Sequence, residues 1–309
     1  SPDKFKSRAT LGGSNMKKLA LVLACLFSCC QVQAWAESEL AVTNVQELLA
    51  GIGSHRVLRL APGTYNLQGV ERQTGTAVRR FHNHGLFLVG VENLKLVGSE
   101  AARTRILSPY TEDEVLTLHD CTDVQIEGLS IGHTTGTGGC QGDAVLVSNS
   151  SKINFVKDDL YGCGQFALTL DNVTGLWVQD SVLHDGTYGL LNAGAVQDGH
   201  FTGTSFVHRG KLSALNLFAE TNTQSPALSF TQCQFQIDPR RKAFSYEGLP
   251  VQEFIAKHSL LSRPFQQPRF PVTGLTFTNC SFTHVKRVEF EQLQQEGLSF
   301  EGCDFRESN

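Results

Sequence analysis

Leu275-Thr276-Phe277-Thr278-Asn279-Cys280-Ser281-Phe282 returns 23 residues later as Leu298-Ser299-Phe300-Glu301-Gly302-Cys303-Asp304-Phe305. Both stretches obey one pattern, apolar-x-apolar-x-x-z-x-apolar. Working back towards the N-terminus, the pattern recurs at Leu228-Phe230-Cys233-Phe235, more weakly at Gly199-Phe201-Thr204-Phe206, then at Leu176-Val178-Ser181-Leu183, Ile153-Phe155-Asp158-Leu160 and Val124-Ile126-Leu129-Ile131. From Val124 onward the starts are separated by 29, 23, 23, 29, 47 and 23 residues. The base period is therefore 23. Each 29 is one repeat plus a six-residue insertion, and 47 reads as two repeats plus one residue. A fixed period in this range marks a stacked-repeat architecture.

Alternation of apolar and other residues is the signature of a strand with one buried face. The x-x pair between the two strands is rich in turn formers, as in Glu127-Gly128, Gln179-Asp180, Thr278-Asn279 and Glu301-Gly302. Ala144 to Val147 and Ala167 to Leu170 supply a third strand in their repeats. Three short strands per period make one triangular coil. Stacked coils lie about 4.8 Å apart, the parallel strand spacing. No gap within the 23-residue repeats holds the helix that a βαβ sheet needs. The expected fold is all-β, a right-handed parallel β-helix. Thr43 to Glu47 carries two overlapping helix-start patterns, so a short N-terminal helix is expected to cap the first coil. Leu58 to Tyr65 opens that coil. Residues 238–271 read as an irregular coil or a loop excursion.

Met16-Lys17-Lys18, an apolar run from Leu19 to Phe27 and Ala34-Trp35-Ala36 form a signal-peptide pattern over 16–36. Residues 1–15, ahead of Met16, are set aside from the fold. Cleavage after Ala36 leaves one β-helix domain, 37–309, in a secreted or periplasmic protein. No further run is long enough to span a bilayer. The chain carries a net charge of −4, and residues 1–36 hold five Lys/Arg against one Asp, so the remainder is near −8. That acidity argues against a nucleic-acid partner, which needs a basic face.

Ala61-Pro62-Gly63-Thr64-Tyr65 and Asn172-Val173-Thr174-Gly175-Leu176-Trp177-Val178 resemble segments of secreted proteins of the pectate-lyase-like β-helix superfamily. The resemblance runs from about Leu58 to Phe305. It implies the fold but names no activity, since the superfamily includes lyases, hydrolases, epimerases and tailspikes; the polysaccharide partner is expected because a parallel solenoid presents an elongated face that matches an extended polymer. The Asn-Thr-Asp and Gly-His-Gly motifs of polygalacturonases and the Asp-Pro-His-Asp of alginate epimerases are absent, so no catalytic residue carries over.

Candidate chemistry comes from the column two residues past the final apolar residue of each pattern: His133, Gly162, Asp185, His208, Ile237, His284 and Glu307. Asp185 and His208 are one period apart. Stacking is expected to place them side by side as a proton-transfer pair. Tyr161 and His184 flank them, with Arg209 and Lys211 to neutralise developing charge. His133, Asp143 and the basic run Arg240, Arg241, Lys242 are candidate substrate contacts. No metal or other cofactor is expected. Cys140 and Cys163 differ by one period and are the expected disulfide; Cys280 and Cys303, also a period apart, are expected inside a packed core. The leading function is binding or processing of an extended, uronic-acid-containing polysaccharide, by lyase or hydrolase chemistry if it is an enzyme. The alternative is a non-catalytic surface or assembly module built on the same scaffold.

Overall fold

The computed structural model describes residues 38–69, 85–136, 141–162, 164–210, 214–218, 227–238, 244–245, 274–285, 291, 293–295 and 298–306. They form a right-handed parallel β-helix. Every strand pairing is parallel and joins a strand to its counterpart in the next coil. Three rows of strands make the three faces. The first row includes Glu92–Val97, Thr122–Glu127, Leu228–Thr231 and Leu275–Thr278; the second includes Ser130–His133, Asp159–Tyr161, Val182–His184 and Ser205–His208. Leu86–Val89 and Leu116–His119 belong to the third row. In the middle coils the third row runs straight on into the first as the long strands Val145–Val156, Leu168–Gln179 and Leu191–Thr202.

The repeat pattern has a backbone cause. The second x of the x-x pair is Gly128, Lys157, Asp180, Gly203, Gln232, Asn279 or Gly302, and in all seven φ lies between 50° and 65°. This left-handed conformation costs Gly nothing and Asn or Asp little. It turns the chain from the first strand row into the second. The following z residue then points inward. Its side chain donates to a carbonyl of its own turn or of the coil before: Ser181 Oγ to Gln179 O at 2.9 Å, Thr204 Oγ1 to Val178 O at 3.2 Å, and Cys280 Sγ to Phe230 O at 3.3 Å.

Inward apolar positions stack coil on coil. In the C-terminal half they form two phenylalanine columns, Phe201-Phe230-Phe277-Phe300 and Phe206-Phe235-Phe282-Phe305. Neighbouring rings within a column lie 4.6 to 4.9 Å apart and nearly parallel. The N-terminal end is covered by the helix Val45–Gly51. Asn44 caps it by accepting from the Glu47 N–H at 2.9 Å, and Glu47 Oε2 accepts from the Thr43 N–H at 2.7 Å. Of the two overlapping patterns, the one starting at Asn44 is used. Tyr65 anchors the opening coil by donating its hydroxyl to the Val42 carbonyl at 2.8 Å.

Two sequence expectations are corrected. The 47-residue interval is one coil, not two, because Phe230 pairs directly with Phe277 and Phe235 with Phe282. Its extra length is an insertion between adjacent coils. The β-helix also begins before Leu58, since Ser38–Val42 pairs as an edge strand with Arg56–Leu60. That strand is mostly solvent-facing, so its sequence carries no alternation to read. The expected Cys140–Cys163 disulfide lies outside the described residues. Cys121, Cys233, Cys280 and Cys303 are free thiols.

Candidate functional site

Strands of only three or four residues leave two outward positions per coil on the second row. In the middle coils the register stacks Ser130, Asp159 and Val182 in one outward column and Gly132, Tyr161 and His184 in the other. Gly132 is needed where it stands: a Cβ there would run into the Tyr161 carbonyl oxygen and approach a Tyr161 ring carbon to 2.7 Å. The Tyr161 ring therefore lies across the glycine. On its other side it stacks on His184, with ring centroids 5.0 Å apart and planes at 16°.

Both His184 nitrogens are engaged by carboxylates. Nε2 donates to Asp159 Oδ1 and Nδ1 donates to Asp185 Oδ2, each at 2.8 Å. An ionised carboxylate oxygen only accepts, so the arrangement favours a ring protonated at both nitrogens, the imidazolium. Burial alone would press the His184 pKa down. The hydrogen bonds to Asp159 and Asp185 outweigh that and hold it above its ordinary value. Around this centre, Ser130 Oγ donates to Asp159 Oδ2 at 3.2 Å, and Arg209 Nη1 lies 3.8 Å from Asp185 Oδ1. Tyr161, His184, Asp185 and Arg209, singled out from the sequence, thus form one cluster across consecutive coils.

The expected pairing of Asp185 with His208 is not the arrangement found. Asp185 follows the strand Val182–His184 and has φ 55°, so the chain has already turned and its carboxylate swings to His184. The next strand, Ser205–His208, continues one residue further in register with Gln234–Ile237. His208 therefore alternates with Val207 and faces inward, 1% exposed. Its Nδ1 accepts from the Gly210 N–H at 3.4 Å.

His133 and Asp143 are also interior groups. His133 is 3% exposed; Nε2 donates to the Asp113 carbonyl at 3.0 Å, Nδ1 has no partner, and burial lowers the pKa. Asp143 is 8% exposed and accepts from the Phe166 N–H at 2.8 Å, and burial pushes its pKa up to about 7. Lys211, Arg240, Arg241 and Lys242 lie outside the described residues. Asp159 was missed in the sequence because it sits 25 residues from His184, one period plus two. A search for identical repeat positions sees only straight columns and not this diagonal contact.

No family model matches the sequence, and no curated protein matches it either. Solved structures do. Pectin methylesterase PemA from Erwinia chrysanthemi has a TM-score of 0.53 with this chain, over 81% of this chain and 80% of its own, at 14% identity. The two share the right-handed parallel β-helix fold. A pectin methylesterase solved in complex with a hexasaccharide gives 0.50 at 14% identity over the same 81% and 80%, and the rice weevil pectin methylesterase gives 0.48 at 13% over 91% and 86%. At these identities the likeness to pectin methylesterases is one of backbone course alone.

Proposed function

We propose that the protein is an exported polysaccharide-binding protein, that it recognises a uronic-acid-containing chain, and that Tyr161, His184, Asp159, Asp185 and Arg209 form its recognition site. One observation carries the reading: Tyr161 and His184 are stacked on the outer face and locked in place by two carboxylates. A rigid aromatic platform ringed by charged hydrogen-bonding groups suits a sugar, which offers one apolar ring face and many hydroxyls. Holding the side chains in advance reduces the entropy lost on binding. The Arg209 side chain is 71% exposed and only loosely paired, so its guanidinium is free to take a uronate carboxylate in bidentate fashion. Pectin, a uronic-acid polymer, is what the fold neighbours act on by their names, which supports this ligand class.

The geometry favours binding over proton abstraction by either histidine. A general base needs an unprotonated atom facing the substrate. His184 has none, and His208 is in the interior. The test is calorimetric titration of the purified protein with oligogalacturonates and with methyl-esterified pectin fragments. Saturable binding is expected, weakened at least about tenfold, or roughly 1.4 kcal/mol, by Tyr161→Ala and by Arg209→Ala. The same mixtures should develop no new double bonds, reducing ends or methanol. Turnover that disappears in Asp185→Asn would replace the binding reading with a catalytic one.

A further inference from the structure

A second exposed aromatic pair lies on a different face, in the first strand row. The register there stacks Lys95, Gln125, Asn154, Trp177, His200, Ser229, Thr276 and Ser299 outward in successive coils. Trp177 stands out in this row: it is 49% exposed, one of two exposed large hydrophobic residues among those described. Scattered exposed apolar residues are common on protein surfaces. This one differs because it is held.

The indole stacks on the His200 imidazole with centroids 4.1 Å apart and planes at 26°. His200 is fixed at both nitrogens. Nε2 donates to Asp198 Oδ1 at 2.7 Å, and Nδ1 shares a 2.7 Å hydrogen bond with Ser229 Oγ. Asp198 owes its position to a left-handed turn conformation, φ 57°. Three residues of two coils thus brace the back of an aromatic ring that faces water. In the preceding coil Trp177 stands in register with Asn154, a much smaller side chain. The difference in size makes a step in the surface. The step is walled by the indole and floored by Asn154. Neither the indole N–H nor the Asn154 carboxamide has a hydrogen-bond partner among the described residues.

We infer that this step binds a sugar ring of an uncharged glycan, stacked on Trp177 and hydrogen-bonded by Asn154. The ring supplies the apolar surface on which a sugar's C–H face rests. The free indole N–H donates, and the carboxamide both donates and accepts, which matches vicinal hydroxyls. The outward column from Gln125 to Ser299 itself offers amides, hydroxyls and an imidazole, and the carboxylates beside it, Glu127 and Asp198, are taken up by Gln125 and His200. A uronate gains nothing there, so the chemistry selects a neutral hexose. The site is separate from the Tyr161–His184 platform and does not depend on it.

The sequence contains two tryptophans, and the other, Trp35, lies outside the described residues. Trp35→Phe in the full chain therefore makes Trp177 the sole fluorescent tryptophan. This variant is titrated with neutral gluco-, manno- and galacto-oligosaccharides and, separately, with oligogalacturonate. Expected is a saturable shift in Trp177 emission with at least one neutral oligosaccharide. Asn154→Ala should weaken it at least about tenfold with an unchanged urea midpoint, and Tyr161→Ala should leave it unaltered. No emission change at millimolar neutral sugar, or a change with oligogalacturonate alone, overturns the inference. So does a shift that follows protein concentration without ligand, because Trp177 would then be meeting a second copy.

Discussion

The phenylalanine columns inside the C-terminal coils and the Tyr161–His184 cluster outside the middle coils are built by the same operation. In both, parallel register sets side chains from successive coils against one another. Inside, every coil contributes the same residue, and rings repeat at 4.6 to 4.9 Å. The two columns meet edge-on, with Phe230 and Phe235 at 65° and Phe277 and Phe282 at 65°. Outside, each coil contributes a different residue. The contacts run diagonally, from Asp159 to His184 and from Asp185 to Arg209. Stacking therefore supplies only proximity. Uniform residues turn proximity into cohesion, and mixed residues turn it into chemistry.

The largest expected effect is on the uniform side. Phe277 is fully buried between Phe230 and Phe300 and edge-on to Phe235 and Phe282. Phe277→Ala should destabilise the protein by about 3–5 kcal/mol. Urea unfolding measures it. A loss no larger than that of Trp177→Ala on the surface would show that the inner columns do not carry the stability assigned to them.

A smaller effect tests the one acid in the inner z column. Asp158 accepts from the Leu129 and Val156 N–H groups, at 2.8 and 3.0 Å. Even so, burial pushes its pKa up to about 8 from 3.8. A raised folded pKa means the folded state holds its proton more tightly than the unfolded chain. Its contribution is fully present below about pH 4 and is lost as pH rises to about 8. Asp143 acts with the same sign. The wild-type urea midpoint should fall across that window, and Asp158→Asn should have the shallower slope. Parallel slopes for the two proteins would mean that the interior does not hold the proton.

The comparison also explains what could be read in advance. The uniform interior was legible, because Phe230, Phe277 and Phe300 recur at fixed positions and the left-handed turns favour Gly, Asn and Asp at 128, 180, 203, 279 and 302. The insertion between Phe230 and Phe277 misled the count, since a length of 47 fits two periods as well as one coil with an excursion. The outer cluster was half legible. Equal spacing correctly gathered Tyr161, His184, Asp185 and Arg209 on one edge. It could not show that Asp185 bends out while His208, a period later, bends in. That depends on whether the chain turns at the residue after the strand, and the φ of 55° at Asp185 is a local event that periodicity does not encode.

The smallest expected effect on stability falls on the mixed side, where it separates the two regions most sharply. His184 is about three-quarters covered, but its partners Asp159 and Asp185 are themselves roughly one-third exposed. Water screens such pairs, and His184→Ala should cost about 1 kcal/mol or less. Its effect on binding should be larger. Without the imidazolium, Asp159 and Asp185 lose their shared clamp, and the two carboxylates face each other uncompensated. Tyr161 loses the ring that supports it. An acidic ligand would then meet unbalanced negative charge, so oligogalacturonate affinity should drop by more than the stability change alone predicts. The sign in pH follows from the raised His184 pKa. Wild-type binding should weaken as pH rises through the folded-state value, because the ring then gives up one donated hydrogen bond. In His184→Ala that pH dependence should vanish. A variant that is badly destabilised, yet binds as wild type with the same pH profile, would place His184 with the phenylalanines as a packing residue. The outer face would then carry no chemistry of its own at this position.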